Sequence, residues 1–386
     1  MVEGKELGLL PAGLKDVLPP DAAFEAAVIE RVLAELAGHG YERVKPPLVE
    51  FEDNLIEGSG KAMAMDIFRL MDPVSRRMMG VRADMTLQIA RIARSRLAKA
   101  PRPLRLSYAG EVLRVKGGGL RPEREFAQIG FELIGNSTPE GDAEVVRLVA
   151  ESLAAVGVAD LTIDLNAPTL VPSVCEALGL DAAAAQAVRR ALDRKDAAAV
   201  EALGGEAGAL LTALLAAGGP AGTALPALAK LDLPDGVRQS AAELSAVAEL
   251  VAVAVPGLGL TVDAVEHRGF EYHSGVSFSI FARAEAAELG RGGRYRVGDP
   301  ENGESATGAS LYMHTVLRAL SPVPGGQRIF LPLGTDLAIG AGLRTDGWVT
   351  IAGLQPGDDP DAEAGRLRCG WVWDGAAPRV LELTES

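Results

Sequence analysis

The sequence predicts an α+β protein: an antiparallel sheet flanked by helices, with a helical insert and a short C-terminal α/β domain. Three observations carry this expectation. RPLRLSYAGEVLRV and EFAQIGFELIG alternate apolar and polar residues on either side of a loop rich in Gly and Arg, the pattern of two paired strands. Residues 168–255 turn to alanine-rich helical segments punctuated by GG pairs and Pro220. Residues 326–386 then alternate short strands and helices with Gly breaks, as small α/β units do. The expected organisation is a core over 1–320 that contains the insert at 168–255, followed by a truncated C-terminal domain over 326–386.

Each element follows from local chemistry. DAAFEAAVIERVLAELAGH (21–39) has the period of an amphipathic helix, with Asp21 expected as N-cap after Pro19 and Pro20 and with glycines 38 and 40 near its end. YERVKPPLVEF is expected to be extended, but Pro46 and Pro47 cannot donate to a central ladder. TPEGDAEVVRLVAESLAAVG reads as a helix capped by Thr138 and closed by Gly157. LTIDLN (161–166) is a strand, and strands resume over 261–281 after the insert.

Composition bounds the function. With 48% apolar and 23% charged residues in 386, the chain has enough material for two or three packed domains. No apolar run reaches the ~18 residues of a membrane span, and the first residues lack the basic start and apolar core of a signal peptide, so a cytoplasmic protein without membrane attachment is expected. Cys175 and Cys369 lie far apart in apolar contexts and read as buried thiols. The net charge of −14 argues against extended nucleic-acid binding. Residues 61–130 depart from that balance: fifteen Lys or Arg against six Asp or Glu make the span +9 and leave −23 elsewhere. Such a span suits either an anionic ligand or solvated helix faces.

Several enzyme chemistries are excluded by motif. There is no GxxxxGK[ST], HExxH or GxSxG, and the GGG at 117–119 lies inside a hairpin rather than between a strand and a helix. The four histidines, His39, His267, His273 and His314, are too scattered for a metal site, so neither metal nor cofactor is expected. What remains is the hairpin GEVLRVKGGGLRPEREFAQIGFE (110–132), whose glycines and arginines suit an anion. Arg114, Gln128 and Glu132 are placed on one pleated face by the alternation of 128, 130 and 132. Taken singly, Glu132 reads equally well as a surface strand residue.

The constellation of GLKDVLPPD, YERVKPPLVEF, VRADMT (81–86), this hairpin, RGFEYHSG (268–275) and GRGGRYR (290–296) resembles the catalytic core of class II histidyl-tRNA synthetase over roughly residues 11–320. The resemblance implies a class II aminoacyl-tRNA synthetase-like sheet and a histidine pocket. In that pocket Asp84 and Thr86 would face the ammonium, Gln128, Arg114 and Arg268 the carboxylate, and Glu132 the imidazole, with Tyr272 and Tyr295 as walls. A free amino acid needs such a mixture of anionic, cationic and neutral polar groups.

The departures from that family are informative. Asp84 stands in place of a longer glutamate, and His273 in place of a second ring-contacting tyrosine. Lys116 stands where the family's second motif has a carboxylate, and in TGASLYMHTVLRAL the positions aligned with the third motif's arginine hold His314 and Thr315. An adenylate-forming transition state would lose its electrostatic support, so no catalytic residue is expected. The C-terminal segment is short and acidic, which speaks against tRNA. With the pocket kept and the chemistry lost, the chain resembles the regulatory subunit of ATP phosphoribosyltransferase. That resemblance implies a short catalytic partner subunit, self-association as a dimer within a hetero-octamer, and histidine as feedback effector. A divergent histidyl-tRNA synthetase and a stand-alone amino-acid sensor remain as alternatives; co-purification of tRNA, of nothing, or of a short phosphoribosyltransferase separates the three.

Overall fold

A computed structural model describes residues 8–56, 64–118, 121–266, 273–299, 302–321, 327–356 and 359–381. The chain divides into two units, Met1–Ser321 and Pro322–Ser386. The first is built on a nine-stranded sheet with the order Glu42–Arg43, Leu104–Leu113, Glu125–Ile134, Glu304–Tyr312, Glu285–Val297, His273–Ala282, Leu161–Asn166, Gly259–Asp263 and Gly219–Pro220. The strands of the centre, from Leu104–Leu113 to Leu161–Asn166, pair antiparallel, as the alternating sequences predict.

Register decides which residues share a face. Gly110 lies opposite Gln128, Tyr108 opposite Gly130 and Leu106 opposite Glu132. Across the next ladder Gln128, Gly130 and Glu132 meet Tyr312, Ser310 and Gly308. Side chains alternate along each strand, so all of these stand on one side of the sheet. The other side carries Ala127, Ile129, Phe131 and Leu133, which join Val28, Val32, Leu33 and Leu36 of the helix Asp21–Gly38 and the apolar side of the helix Pro139–Ala155 in the principal core. The helices between Leu170 and Ala254 contribute to this same core through Leu192, Leu214, Leu244 and Val251. The first side is covered by the helix Thr86–Ser95, whose Ile89 and Ala93 pack with Leu104, Leu106 and Val112.

Local expectations are met with one correction. Thr138 accepts from the Gly141 amide at 3.4 Å and Gly157 takes φ +97° beyond that helix. Asp21, however, is the first residue of its helix and not the cap: Pro20 holds the cap position and no side chain caps it. A carboxylate in the first turn still favours the helix through its dipole. His39 closes the helix with Nε2 3.6 Å from Glu35 and 3.4 Å from Glu151. YERVKPPLVEF divides in two: Glu42–Arg43 pairs parallel to Leu104–Leu113, and Val49–Phe51 joins Met78–Val81 and Phe68–Met71 in a three-stranded sheet. The two prolines fall between, where no ladder needs their missing N–H. Their carbonyls accept from the buried Arg82 guanidinium at 3.1 and 3.5 Å.

The second unit has a four-stranded sheet, Val349–Ala352, Arg328–Leu331, Trp371–Trp373 and Pro378–Val380, parallel except for the last pair, with helices Leu337–Thr345 and Pro360–Arg366. Cys369 belongs to its core and Cys175 to the core of the first unit; both thiols are free and buried. No helix among the described residues is long and apolar enough to cross a membrane.

One buried ion pair ties the sheet to its helices. Arg294 donates to both carboxylate oxygens of Asp142 at 3.2 and 2.7 Å and to Glu243 at 3.3 Å, while Thr307 donates to Asp142 at 2.5 Å. With Asp142 removed, the nearly buried guanidinium keeps Glu243 alone. Asp142→Ala should therefore cost about 3 kcal/mol in urea unfolding, the lower end for a broken buried pair. The double variant Asp142→Leu/Arg294→Met should lose less than that single variant, because the carboxylate it leaves unpaired, Glu243, is partly exposed and no buried charge is stranded.

Candidate functional site

Glu132 sits at the centre of the covered face. It is 1% exposed, and each carboxylate oxygen accepts a tyrosine hydroxyl: Tyr108 donates to Oε1 at 3.0 Å and Tyr295 to Oε2 at 3.1 Å. Two glycines make the arrangement possible. A Cβ at Gly308, directly opposite Glu132, would fall on its carboxylate, and one at Gly130 would fall on the Tyr108 ring. Burial pushes the Glu132 carboxyl up to about 8, against the pull of the two tyrosine hydrogen bonds, with nearby Asp84 adding to the rise.

A hydrogen-bonded chain leads away from Glu132. The Tyr108 hydroxyl lies 3.2 Å from Thr86 Oγ1, and Asp84 accepts the Thr86 amide at 2.7 Å. Gln128 Nε2 donates to Asp84 Oδ2 at 2.8 Å and to Ser310 Oγ at 2.7 Å, while its Oε1 accepts the Met85 amide at 3.1 Å. The amides of Met85 and Thr86, at the start of the helix Thr86–Ser95, are thereby satisfied by side chains from the site. Arg82, two residues before Asp84, donates to the Glu111 carbonyl at 2.7 Å as well as to the proline pair, so the loop carrying Asp84 is held to the hairpin. Gly110 gives its guanidinium the necessary space.

Of the residues singled out from sequence, Asp84, Thr86, Gln128, Glu132 and Tyr295 are therefore brought together. His273 is buried beside them, its strand position opposite Tyr295. Arg114 follows the end of its strand, where its Nε donates to the Ala83 carbonyl at 3.4 Å and its guanidinium lies 5.1 Å from the Phe126 ring and 5.5 Å from that of Tyr312. It makes no direct bond to Gln128 or Glu132 among the described contacts. Arg268 and Tyr272 lie outside the described residues. Sequence reasoning missed Tyr108, Ser310 and Arg82. Tyr108 was readable in principle: once 104–113 and 125–134 are paired strands, an aromatic residue facing Gly130 shares the face of Glu132.

A buried carboxyl, the Asp84 carboxylate, an amide side chain and phenol hydroxyls gathered on one face are the chemistry that suits a ligand cationic at one end and polar at the other. The histidyl-tRNA synthetase family profile matches residues 13–316. The ATP phosphoribosyltransferase regulatory subunit of Rhodospirillum centenum is 58% identical over 379 residues, covering 98% of this chain and 97% of that protein. The chain belongs to the ATP phosphoribosyltransferase regulatory subunit family. The regulatory subunit of Paramagnetospirillum magneticum is 53% identical, covering 96% of this chain and 97% of its own. Among solved structures, an ATP phosphoribosyltransferase regulatory subunit/histidyl-tRNA synthetase from Bacillus halodurans matches with a TM-score of 0.81 at 23% identity over 94% of this chain and 97% of that one. That likeness shows the class II synthetase-like fold of the family, as does histidyl-tRNA synthetase from Nostoc, with a TM-score of 0.79 at 17% identity over 95% and 91% of the two chains.

The raised carboxyl has a consequence for stability. A group whose pKa rises from 4.5 in the unfolded chain to about 8 in the folded one binds its proton more tightly when folded, so its contribution is complete below pH 4.5 and is lost as pH climbs towards 8. Unfolding of the ligand-free protein should therefore show stability, measured relative to Glu132→Gln, falling across that window. A flat difference would mean that Glu132 is solvated.

Proposed function

We propose that this chain is a non-catalytic regulatory subunit of ATP phosphoribosyltransferase in histidine biosynthesis, and that free histidine is the effector held at Glu132. The observation that carries the reading is the buried Glu132 carboxylate between Tyr108 and Tyr295, joined through Thr86 to the Asp84–Gln128 pair. An imidazole nitrogen at Glu132 and an ammonium at Asp84 would replace water with charge-assisted bonds, and Arg114 and Arg268 would serve the carboxylate end. His273 and Tyr272 complete the wall in this reading.

The absence of aminoacylation is part of the proposal. Thr315, at an aligned position of the synthetase's third motif, is fully buried and donates its hydroxyl to the Tyr312 carbonyl at 2.9 Å. His314 is held neutral at neutral pH, burial lowering its pKa to about 4, so neither residue supplies a cation to a nucleotide. Lys116 is exposed on the hairpin. The chemistry then belongs to the short catalytic subunit, with which this chain would assemble as dimers within a hetero-octamer. Exposed Met65, Met71, Val74 and Met78, on or beside the three-stranded sheet, give the first unit an apolar surface that suits such assembly. Coupling between histidine and substrate would be reciprocal, each weakening the other by the same factor.

Calorimetry should show histidine binding in preference to other amino acids, weakened by about 1.5–3 kcal/mol in Glu132→Ala, the worth of a charge-assisted hydrogen bond. Unchanged affinity in both Glu132→Ala and Gln128→Ala would place the ligand elsewhere. The protein should support no histidine-dependent ATP–pyrophosphate exchange; exchange above a blank would favour the synthetase. Added to a short ATP phosphoribosyltransferase, it should form a complex by light scattering and make that activity histidine-sensitive. The Glu132→Ala complex should assemble and resist inhibition.

A further inference from the structure

The histidine reading places one imidazole nitrogen at Glu132 and leaves the other without a partner of its own. The strand pairing supplies one. Asp263, Asn166, Ser277, Gly293, Gly308 and Glu132 follow one another in register across the sheet, from the strand Gly259–Asp263 to the strand Glu125–Ile134. Leu165 and Phe278, the sequence neighbours of Asn166 and Ser277, are buried in the principal core, so Asn166 and Ser277 turn to the other side of the sheet, the side of Glu132. A Cβ at Gly293 would meet Ser277 Cβ at 2.7 Å and His273 Cδ2 at 2.6 Å, which sets both beside this bare position.

Asn166 and Ser277 are both 0% exposed, and Asn166 Oδ1 and Ser277 Oγ have no hydrogen-bond partner in the folded chain. The Asn166 amide nitrogen donates to the Asp164 carbonyl at 3.3 Å, which leaves the amide oxygen as its open end. Asp263, next in the row, is already answered by Lys195 at 2.5 Å and by the Val265 amide at 3.2 Å. Two fully buried polar atoms facing each other on paired strands, both unsatisfied, are uncommon, because each carries its desolvation cost without return. An amide oxygen can only accept, so the group that satisfies it must bring an N–H or an O–H.

Adjacent strands lie about 4.8 Å apart, so Ser277 stands about 14 Å from Glu132 along the row. The Glu132 carboxylate reaches over Gly308, which shortens the interval by about one strand spacing, to about 10 Å. An imidazole and one water, joined by hydrogen bonds of about 2.9 Å, span that length. We propose that Asn166 and Ser277 are specificity-determining residues of the Glu132 pocket, holding one enclosed water that meets the second ring nitrogen of the bound effector. The two side chains and the ring together give that water enough partners to stay in place. Because a serine hydroxyl both donates and accepts, the pair serves a ring nitrogen that carries its proton and one that does not. A ligand whose second ring nitrogen is missing or methylated loses the link. The proposal rests on the histidine reading and adds to it how the ring is told from other rings.

The test is calorimetric titration of the whole chain with histidine and with its two ring N-methyl isomers. The unmutated protein should bind histidine more tightly than either isomer. Ser277→Ala and Asn166→Ala should each weaken histidine about three- to tenfold, the worth of one hydrogen bond, and should narrow the preference over one isomer while leaving the preference over the other intact. Without ligand, Ser277→Ala should melt at or above the temperature of the unmutated protein, because it removes an unsatisfied buried hydroxyl. A fall in that temperature would give Ser277 a structural role and overturn the proposal. Folded variants of both kinds that bind histidine as the unmutated chain does, or that lose preference over both isomers alike, also overturn it, while a loss of affinity in Glu132→Ala keeps the histidine reading. Undiminished binding in Glu132→Ala as well overturns both.

Discussion

A carboxylate buried beneath a sheet needs donors, and the donors around Glu132 organise the face on which it stands. Placing a charge away from water costs several kcal/mol unless it is hydrogen-bonded on each oxygen. Here the partners are phenols reaching in from two other strands, Tyr108 and Tyr295. That geometry requires bare backbone at Gly308 and Gly130, because any side chain there would occupy the space of the carboxylate or of the Tyr108 ring. The alternation of large polar residues with glycine on this face is thus a single constraint seen at several positions. Even with two donors, burial dominates and the carboxyl holds its proton to about pH 8. A cationic ligand would reverse that balance.

The rigidity that such a site needs comes from the opposite side of the sheet. The apolar residues that alternate with Gln128 and Glu132 are sealed by the helices Asp21–Gly38 and Pro139–Ala155, and the Arg294–Asp142 pair fixes one of those helices to the strand that carries Tyr295. Arg294 and Tyr295 are adjacent in sequence and point to opposite faces, so the clamp and the pocket share one strand. The helix that begins at Thr86 completes the site by presenting its first amides to Gln128 and Asp84. Packing on both its own face and the reverse face fixes where these polar groups stand.

Family membership gives these features their sense. The fold is that of a class II synthetase, and regulatory subunits of ATP phosphoribosyltransferase match this chain over nearly their whole length. Around Glu132 the polar groups form a connected chain through Tyr108, Thr86, Asp84 and Gln128 to Ser310.

Much of the fold was legible in the sequence because it rests on short-range rules. The strict alternation in 104–113 and 125–134 required a paired, one-sided sheet, Thr138 and Gly157 bounded their helix, and the interval from Gln128 to Glu132 put both on one face whatever the register. Asp21 shows the limit of such rules: Ser, Thr, Asp and Asn favour caps, but the preceding proline already held the cap position. The candidate site was legible only in part. Tyr108, Ser310 and Arg82 enter it through strand pairing and loop contacts between residues many positions apart, which no local pattern reports. The sequence by itself determined which residue types lie on which face, since a side-chain period of two is a property of the strand alone. Tertiary structure decided which of them touch and with what charge, as it decided that Glu132 is deeply buried rather than a surface strand residue, because register and desolvation exist only once separate segments have packed together.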